Sequence, residues 1–137
     1  MLLTIGQVAD RSGCTPPTIR YYESIGLLAV PARSDAGRRS YRPGDVARLA
    51  FIRRARDFGL GIPQVRDLLS AAEAPASACA VARPVVEDHI RALRTKRTEL
   101  KALEAALGAI LARCDEGCQT GNADACAIFG DFHLPRA

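Results

Sequence analysis

The stretch CDEGCQTGNADAC, residues 114–126, holds three cysteines (Cys114, Cys118 and Cys126), and Cys79 stands upstream of it. Thiolate sulfur binds soft or borderline ions such as Zn(II), Cd(II), Pb(II), Hg(II) and Cu(I). Gly117, Gly121, Asn122 and Asp124 are residues that let a chain fold back around an ion. Three or four sulfurs suit trigonal or tetrahedral coordination. The C-x3-C-x7-C spacing matches neither the zinc-finger nor the C-x-x-C redox pattern. An iron–sulfur cluster would need about four cysteines, and a thiol redox switch only two. His133 could add a nitrogen but reads better as a surface histidine of the C-terminal tail. Cys14 reads as a small buried residue without chemistry.

These thiols must be positioned by the segment before them. From about 82 to 113 the chain has no Pro after Pro84 and no Gly before Gly108, which predicts one helix of roughly thirty residues. Val86, Leu93, Leu100 and Leu107 recur every seven residues, with Leu103 and Ile110 at intervening positions, as in a coiled-coil seam. Cys79 continues the series one step backward and Cys114 one step forward. At ~1.5 Å rise per residue those two cysteines lie on the order of 50 Å apart in one chain, too far to share an ion. An antiparallel pair of helices, with residue i facing 193 − i, matches Leu93 with Leu100, Val86 with Leu107, and Cys79 with Cys114 of the partner. One two-fold axis near Lys96 and Arg97 generates all three matches, as a symmetric homodimer requires. A lone amphipathic helix is the alternative, but its leucine stripe would be an exposed patch in need of a partner.

The front of the chain has a different character. Residues 1–56 hold ten arginines against four acids, a balance of +6, whereas the remainder holds nine bases against eleven acids, −2. A basic front on a near-neutral back suggests a nucleic-acid-binding module with something attached. Apolar residues are 48% of the chain and aromatics 5%, with no Trp, so Leu and Ala carry the burial and helices are expected. No apolar run approaches the ~20 residues needed to cross a bilayer, and the opening is too short and too soon polar for a signal peptide. A cytoplasmic protein without membrane contact is expected, where structural disulfides rarely persist.

Local signals fill in the elements. Thr4 is a plausible N-cap for a helix carrying Ile5, Val8 and Ala9, which Gly13 ends. Thr15 caps a second helix with Pro16 and Pro17 in its first turn and Ile19, Tyr22 and Ile25 on its apolar face; Gly26 stops it. Pro31 and the Asp35-Ala36-Gly37 turn predict a short hairpin with arginines on both arms. Asp45 is expected to start a third helix running to Phe58 and Gly59, a fourth spans about 64–72, and AAEAPASA is a small-residue linker.

The segments LTIGQVADRSGCTPPTIRYYESIGLL, RSDAGRRSY and FIRRARDFGLGIPQVRDLL closely resemble the MerR family of bacterial transcriptional regulators, over nearly the whole chain. The resemblance implies a mainly α fold: a winged helix-turn-helix DNA-binding domain (1–74), a linker and antiparallel coiled-coil dimerisation helix (75–113), and an effector loop with tail (114–137). It implies a homodimer on double-stranded promoter DNA that represses without effector. With effector it distorts the DNA so that RNA polymerase can use the promoter. By resemblance Thr15, Thr18, Arg20 and Tyr21 lie on the recognition helix, Arg33, Arg38, Arg39 and Tyr41 in the wing, and Arg53 and Arg54 on the following helix. Arg20 is the best candidate to reach a base edge, with the wing arginines gripping phosphates. Cys79, Cys114 and Cys126 match the positions of metal-sensing members, while Cys118 has no counterpart and stands as a fourth candidate ligand. A cysteine at the place of Cys79 is typical of divalent-ion sensors, whereas copper(I) sensors usually carry serine there. The iron–sulfur sensors of the family have a tighter cluster of four cysteines, which this chain lacks. A thiophilic, divalent metal ion (Zn, Cd, Pb or Hg) is therefore the expected effector, with copper(I) or thiol redox sensing on the same fold as the alternative. No cysteine sits in a Gly-rich nucleophile turn or beside a plausible base, so an enzyme is not expected.

Overall fold

Thr4 opens the first helix as the sequence predicts. Its hydroxyl accepts from the Gln7 amide at 3.2 Å while the Gln7 side chain accepts from the Thr4 amide at 2.9 Å, a reciprocal cap that satisfies two otherwise orphaned donors. In the computed structural model, which describes residues 1–117, 121 and 126–133, this helix α1 (Ile5–Ser12) is followed by α2 (Pro16–Ser24), a hairpin of β1 (Ala32–Arg33) and β2 (Arg39–Ser40), α3 (Pro43–Asp57), α4 (Ile62–Ala72), the long α5 (Ala78–Gly117) and a short α6 (Ala127–Asp131). The chain divides into two compact units, Met1–Glu87 and Asp88–Ala137, and α5 runs from the first into the second.

The first unit is built on α1, α2, α3 and α4. α1 packs on α2 and α3, and α3 on α4. Val8, Ile19, Leu27, Leu28, Tyr41, Leu49, Ile52 and Val65 are its largest fully buried side chains. Full burial of an aliphatic side chain is worth ~1.5–3 kcal/mol, so these positions decide whether the unit folds. Cys14 belongs to this core, its sulfur 3.8 Å from the Leu49 carbonyl. The hairpin is antiparallel with Arg33 opposite Arg39, and Tyr41 beyond it pairs with Leu3 through two main-chain hydrogen bonds of 2.8 and 2.9 Å. Arg48 and Arg66 tie down the chain after α2 by donating to the Leu27 and Ile25 carbonyls, at 2.6 and 2.7 Å.

Gly13 ends α1 at φ +75°, and the Arg53 guanidinium fills the space that a Cβ there would need. Gly13→Ala therefore combines left-handed strain of ~1–2 kcal/mol with displacement of Arg53. The thermal midpoint is expected to fall by about 4 °C or more, read by circular dichroism. An unchanged midpoint would mean that the turn relaxes freely.

Three boundaries differ from the sequence reading. α3 begins at Pro43 rather than Asp45, because Asp45 is its third residue and reaches back to accept the Arg42 amide at 2.8 Å. Pro43 suits the first turn, where its missing N–H has no helical partner anyway. α4 starts two residues earlier than expected, with Pro63 in its first turn. α5 has 40 residues and contains Pro84. Proline there removes the bond to the Ala80 carbonyl and crowds that carbonyl with its ring, and the flanking turns carry the helix through it.

Within the chain α5 buries none of its residues. Val86, Leu93, Leu100, Leu103 and Leu107 are 44–61% exposed, an apolar stripe that the single chain leaves in water. Arg83 with Glu87, and Arg91 with Asp88, form ion pairs along the helix. Exposed pairs of this kind contribute little, so the stripe and not the charges is the feature of α5 that calls for an energetic account.

Candidate nucleic-acid interface and thiol centre

The arginines of the front half converge. Arg20 from α2, Arg33 and Arg39 from the hairpin strands and Arg38 from their turn line one groove, with Thr4, Ile5 and Gly37. The tight turn presents them: the Ser34 amide donates to the Arg38 carbonyl at 2.6 Å, and Gly37 sits at φ +77°. Arg33 in turn donates to the Gly37 carbonyl at 2.9 Å. Four guanidinium groups around one concavity suit a polyanion, each able to grip a phosphate through two parallel N–H donors.

On α2 the Thr15 hydroxyl caps the helix and donates to the Thr18 hydroxyl at 2.9 Å. Thr15, Arg20 and Tyr21 are exposed and Thr18 is half-buried, so they lie on the face opposite Ile19 and Tyr22. The exposed Arg54 stacks over the exposed Phe58 ring at 5.0 Å, and Arg53 lies against the Gly13 turn. Tyr41 requires a correction. It is fully buried, and its hydroxyl donates to Glu23 at 2.5 Å, so its ring cannot meet DNA from inside the core. Burial first, and then Glu23, push the Tyr41 hydroxyl well above the ordinary phenol range.

Sequence reasoning had no role for Glu23, which the fold buries against a wall residue of this groove, its Oε2 3.4 Å from Arg39 Nε. A signal existed: Glu23 follows Ile19 and Tyr22 on the buried helical face (i, i+3, i+4), where an acid needs a partner from elsewhere.

In the second unit Cys114, near the end of α5, and Cys126, at the N-cap position of α6, are brought together and interact through their thiols. The Cys126 thiol is held below its ordinary value, most by the Phe129 amide and next by the Ile128 amide; burial opposes them, and Cys114 adds a lesser lowering. Arg113 and Asp131 form an ion pair joining the end of α5 to the end of α6. Cys79 is exposed at the other end of α5. His133 is exposed, at φ +53°. Cys118 lies outside the described residues. Among those described, no three metal-binding side chains of one chain form a group.

Because a lowered thiol holds more thiolate at neutral pH, Cys126 is expected to be alkylated by iodoacetamide with a pH midpoint below that of an ordinary cysteine. Phe129→Pro removes the largest cause while keeping a residue tolerated in a first helical turn. Its midpoint should move up, as site-resolved mass spectrometry would show; equal midpoints would remove the amide from the account.

A helix-turn-helix beside an arginine-bearing hairpin defines a DNA-binding regulator. Comparison with known proteins agrees. Residues 3–72 match the family model described as MerR HTH family regulatory protein, and residues 46–110 that described as MerR, DNA binding. The chain belongs to the MerR family of helix-turn-helix transcriptional regulators, and is a regulator and not an enzyme. The uncharacterized HTH-type transcriptional regulator PA4778 of Pseudomonas aeruginosa is 39% identical over 130 residues, covering 95% of this chain and 96% of that protein. Heavy metal-dependent transcription regulator 2 of Rhizobium meliloti is 32% identical over 112 residues, covering 82% and 76%. Among solved structures, the transcription regulator PbrR691 from Ralstonia metallidurans CH34 in complex with lead(II) matches with a TM-score of 0.82 at 34% identity, covering 95% of this chain and 98% of that one. No helix among the described residues is long and apolar enough to cross a membrane.

Proposed function

We propose that this regulator is a homodimeric metal switch, in which Cys79 of one protomer and Cys114 and Cys126 of its partner hold a thiophilic divalent ion, with Cys118 as a further ligand. The observation that carries the reading is the convergence of Cys114 and Cys126 beyond the end of an exposed leucine stripe, with Cys79 before its other end. The donor set fits: thiolates select Zn, Cd, Pb, Hg or Cu(I) over hard ions, and the lowered Cys126 thiol reduces the protons a metal must displace. The relatives named for heavy-metal dependence and for a lead(II) complex support the same class of effector. Without metal the dimer represses. With metal it distorts promoter DNA, a change read through DNA shape, so that RNA polymerase can start. Thr15, Thr18, Arg20 and Tyr21 face the major groove, with Arg20 reading a base edge, and Arg33, Arg38, Arg39, Arg53 and Arg54 position the dimer on phosphates.

The test is titration of the purified dimer with Zn(II), Cd(II), Pb(II), Hg(II) and Cu(I), followed by sulfur-to-metal absorption and by transcription from the regulator's own promoter. Tight binding of a divalent ion together with activation supports the reading, and preference for Cu(I) would assign a monovalent sensor. The contact between Cys114 and Cys126 favours one rival, a disulfide switch. Activation by peroxide in metal-free buffer, without tight metal binding, would establish that rival instead.

A further inference from the structure

Glu23 sits in the last turn of α2 with its side chain 7% exposed, the Tyr41 hydroxyl on one carboxylate oxygen at 2.5 Å and Arg39 Nε 3.4 Å from the other. Tyr41 is also paired through its main chain to Leu3, so this one carboxylate joins the recognition helix, the wing and the N-terminal segment. Its charge lies against Arg39, one of the four arginines (with Arg20, Arg33 and Arg38) that line the groove. A neutral acceptor could have satisfied the Tyr41 hydroxyl without the desolvation cost of a buried charge. What a neutral group cannot do is hold Arg39 by charge and set a negative charge against the pull of the groove on phosphates.

We propose that Glu23 is a specificity-determining positioning residue for DNA recognition. Its buried carboxylate restrains Arg39 at the wall of the groove and weakens the groove's general attraction for phosphate, so that binding depends more on Arg20 reaching its base. Non-specific binding is almost wholly electrostatic, whereas specific binding adds base contacts made in register. Removing the charge while keeping the shape therefore moves the two in opposite directions. A mere staple would weaken both together.

The experiment uses the full-length, metal-free protein with two probes: a duplex selected by the wild-type protein from a randomised pool, and poly(dI-dC). Glu23→Gln keeps an acceptor for Tyr41. It is expected to bind poly(dI-dC) several-fold tighter and the selected duplex more weakly, so that their ratio falls about tenfold or more. Its plot of log affinity against log salt should steepen by about 0.9 per DNA-binding head, one phosphate each. In the double variant Glu23→Gln/Arg39→Gln the gain on poly(dI-dC) and the added slope should both vanish. Tyr41→Phe, which keeps the Glu23–Arg39 pair, should leave the slope where it is. Equal weakening on both probes with an unchanged slope, no effect on either, a steepened slope in Tyr41→Phe, persistence of the gain in the double variant, or loss of the folded state in Glu23→Gln would each overturn the proposal and leave Glu23 a structural staple.

Discussion

Cys79→Ser and Cys114→Ser homodimers are each expected to lose metal binding by at least about a hundredfold, and an equal mixture of the two is expected to regain it in part. Replacing a group that merely supports a ligand already costs ~10–100-fold, so loss of a ligating thiolate should cost no less. In the mixed dimer one end carries serine at both altered positions. The other end keeps Cys79 from one protomer and Cys114 from its partner, and is whole. Random exchange makes half of the dimers mixed, which restores about one quarter of the wild-type sites, as the two-fold pairing requires. Stoichiometry by sulfur-to-metal absorption after subunit exchange reads this directly. A mixture that binds no more than its parents would mean that each protomer assembles its own site. Both variants should bind metal-free DNA normally, since neither cysteine belongs to the groove of Arg20, Arg33, Arg38 and Arg39. DNA binding that fell along with metal binding would point to general misfolding.

The readable parts of this chain are those where one residue type has one physical use. Thr4 and Thr15 announce helix starts because their hydroxyls cap orphan amides. Gly13 announces a stop because only a left-handed residue fits there. The Asp35-Ala36-Gly37 turn gave the hairpin, and the seven-residue leucine period gave α5. Asp45 misled because an acid at the third helical position looks, in sequence, like the cap itself, three residues past the true cap position at Arg42. α5 runs past the expected 82 and 113 at both ends, since neither Pro84 nor Gly108 stops it within its forty residues. Tyr41 and Glu23 were harder still. The RRSYR motif shows that tyrosine belongs to the wing but not that its ring points inward, since that depends on Leu3, thirty-eight positions away in sequence. The proximity of Cys114 and Cys126 was legible from the turn-forming residues between them. The depression of the Cys126 thiol was not, because it comes from the amides of Ile128 and Phe129, in a helix too short to leave a period.

Leu100→Glu is expected to split the dimer, and with it to abolish metal binding at both ends. In the proposed pairing of i with 193 − i, Leu100 of each protomer would face Leu93 of the other beside the two-fold axis. One substitution therefore removes two central leucines and sets two carboxylates into an apolar seam. In the single chain Leu93 and Leu100 are 50% and 60% exposed, so the change costs the lone protomer almost nothing and acts on association alone. Losing two buried leucines is worth ~3–6 kcal/mol, which raises the dissociation constant at least about a hundredfold, before any cost of desolvating the new charges. Sedimentation equilibrium should show a monomer at micromolar concentration with unchanged helix content. The split protein should also lose most of its affinity for DNA, because two heads bound together profit from a high effective concentration that a single head lacks. Ser substituted at Leu111, which lies outside the paired register although 55% exposed, should leave the dimer intact. If Leu100→Glu remained dimeric and bound metal as before, the leucine stripe would have another partner, and Cys79 could not meet Cys114 across it.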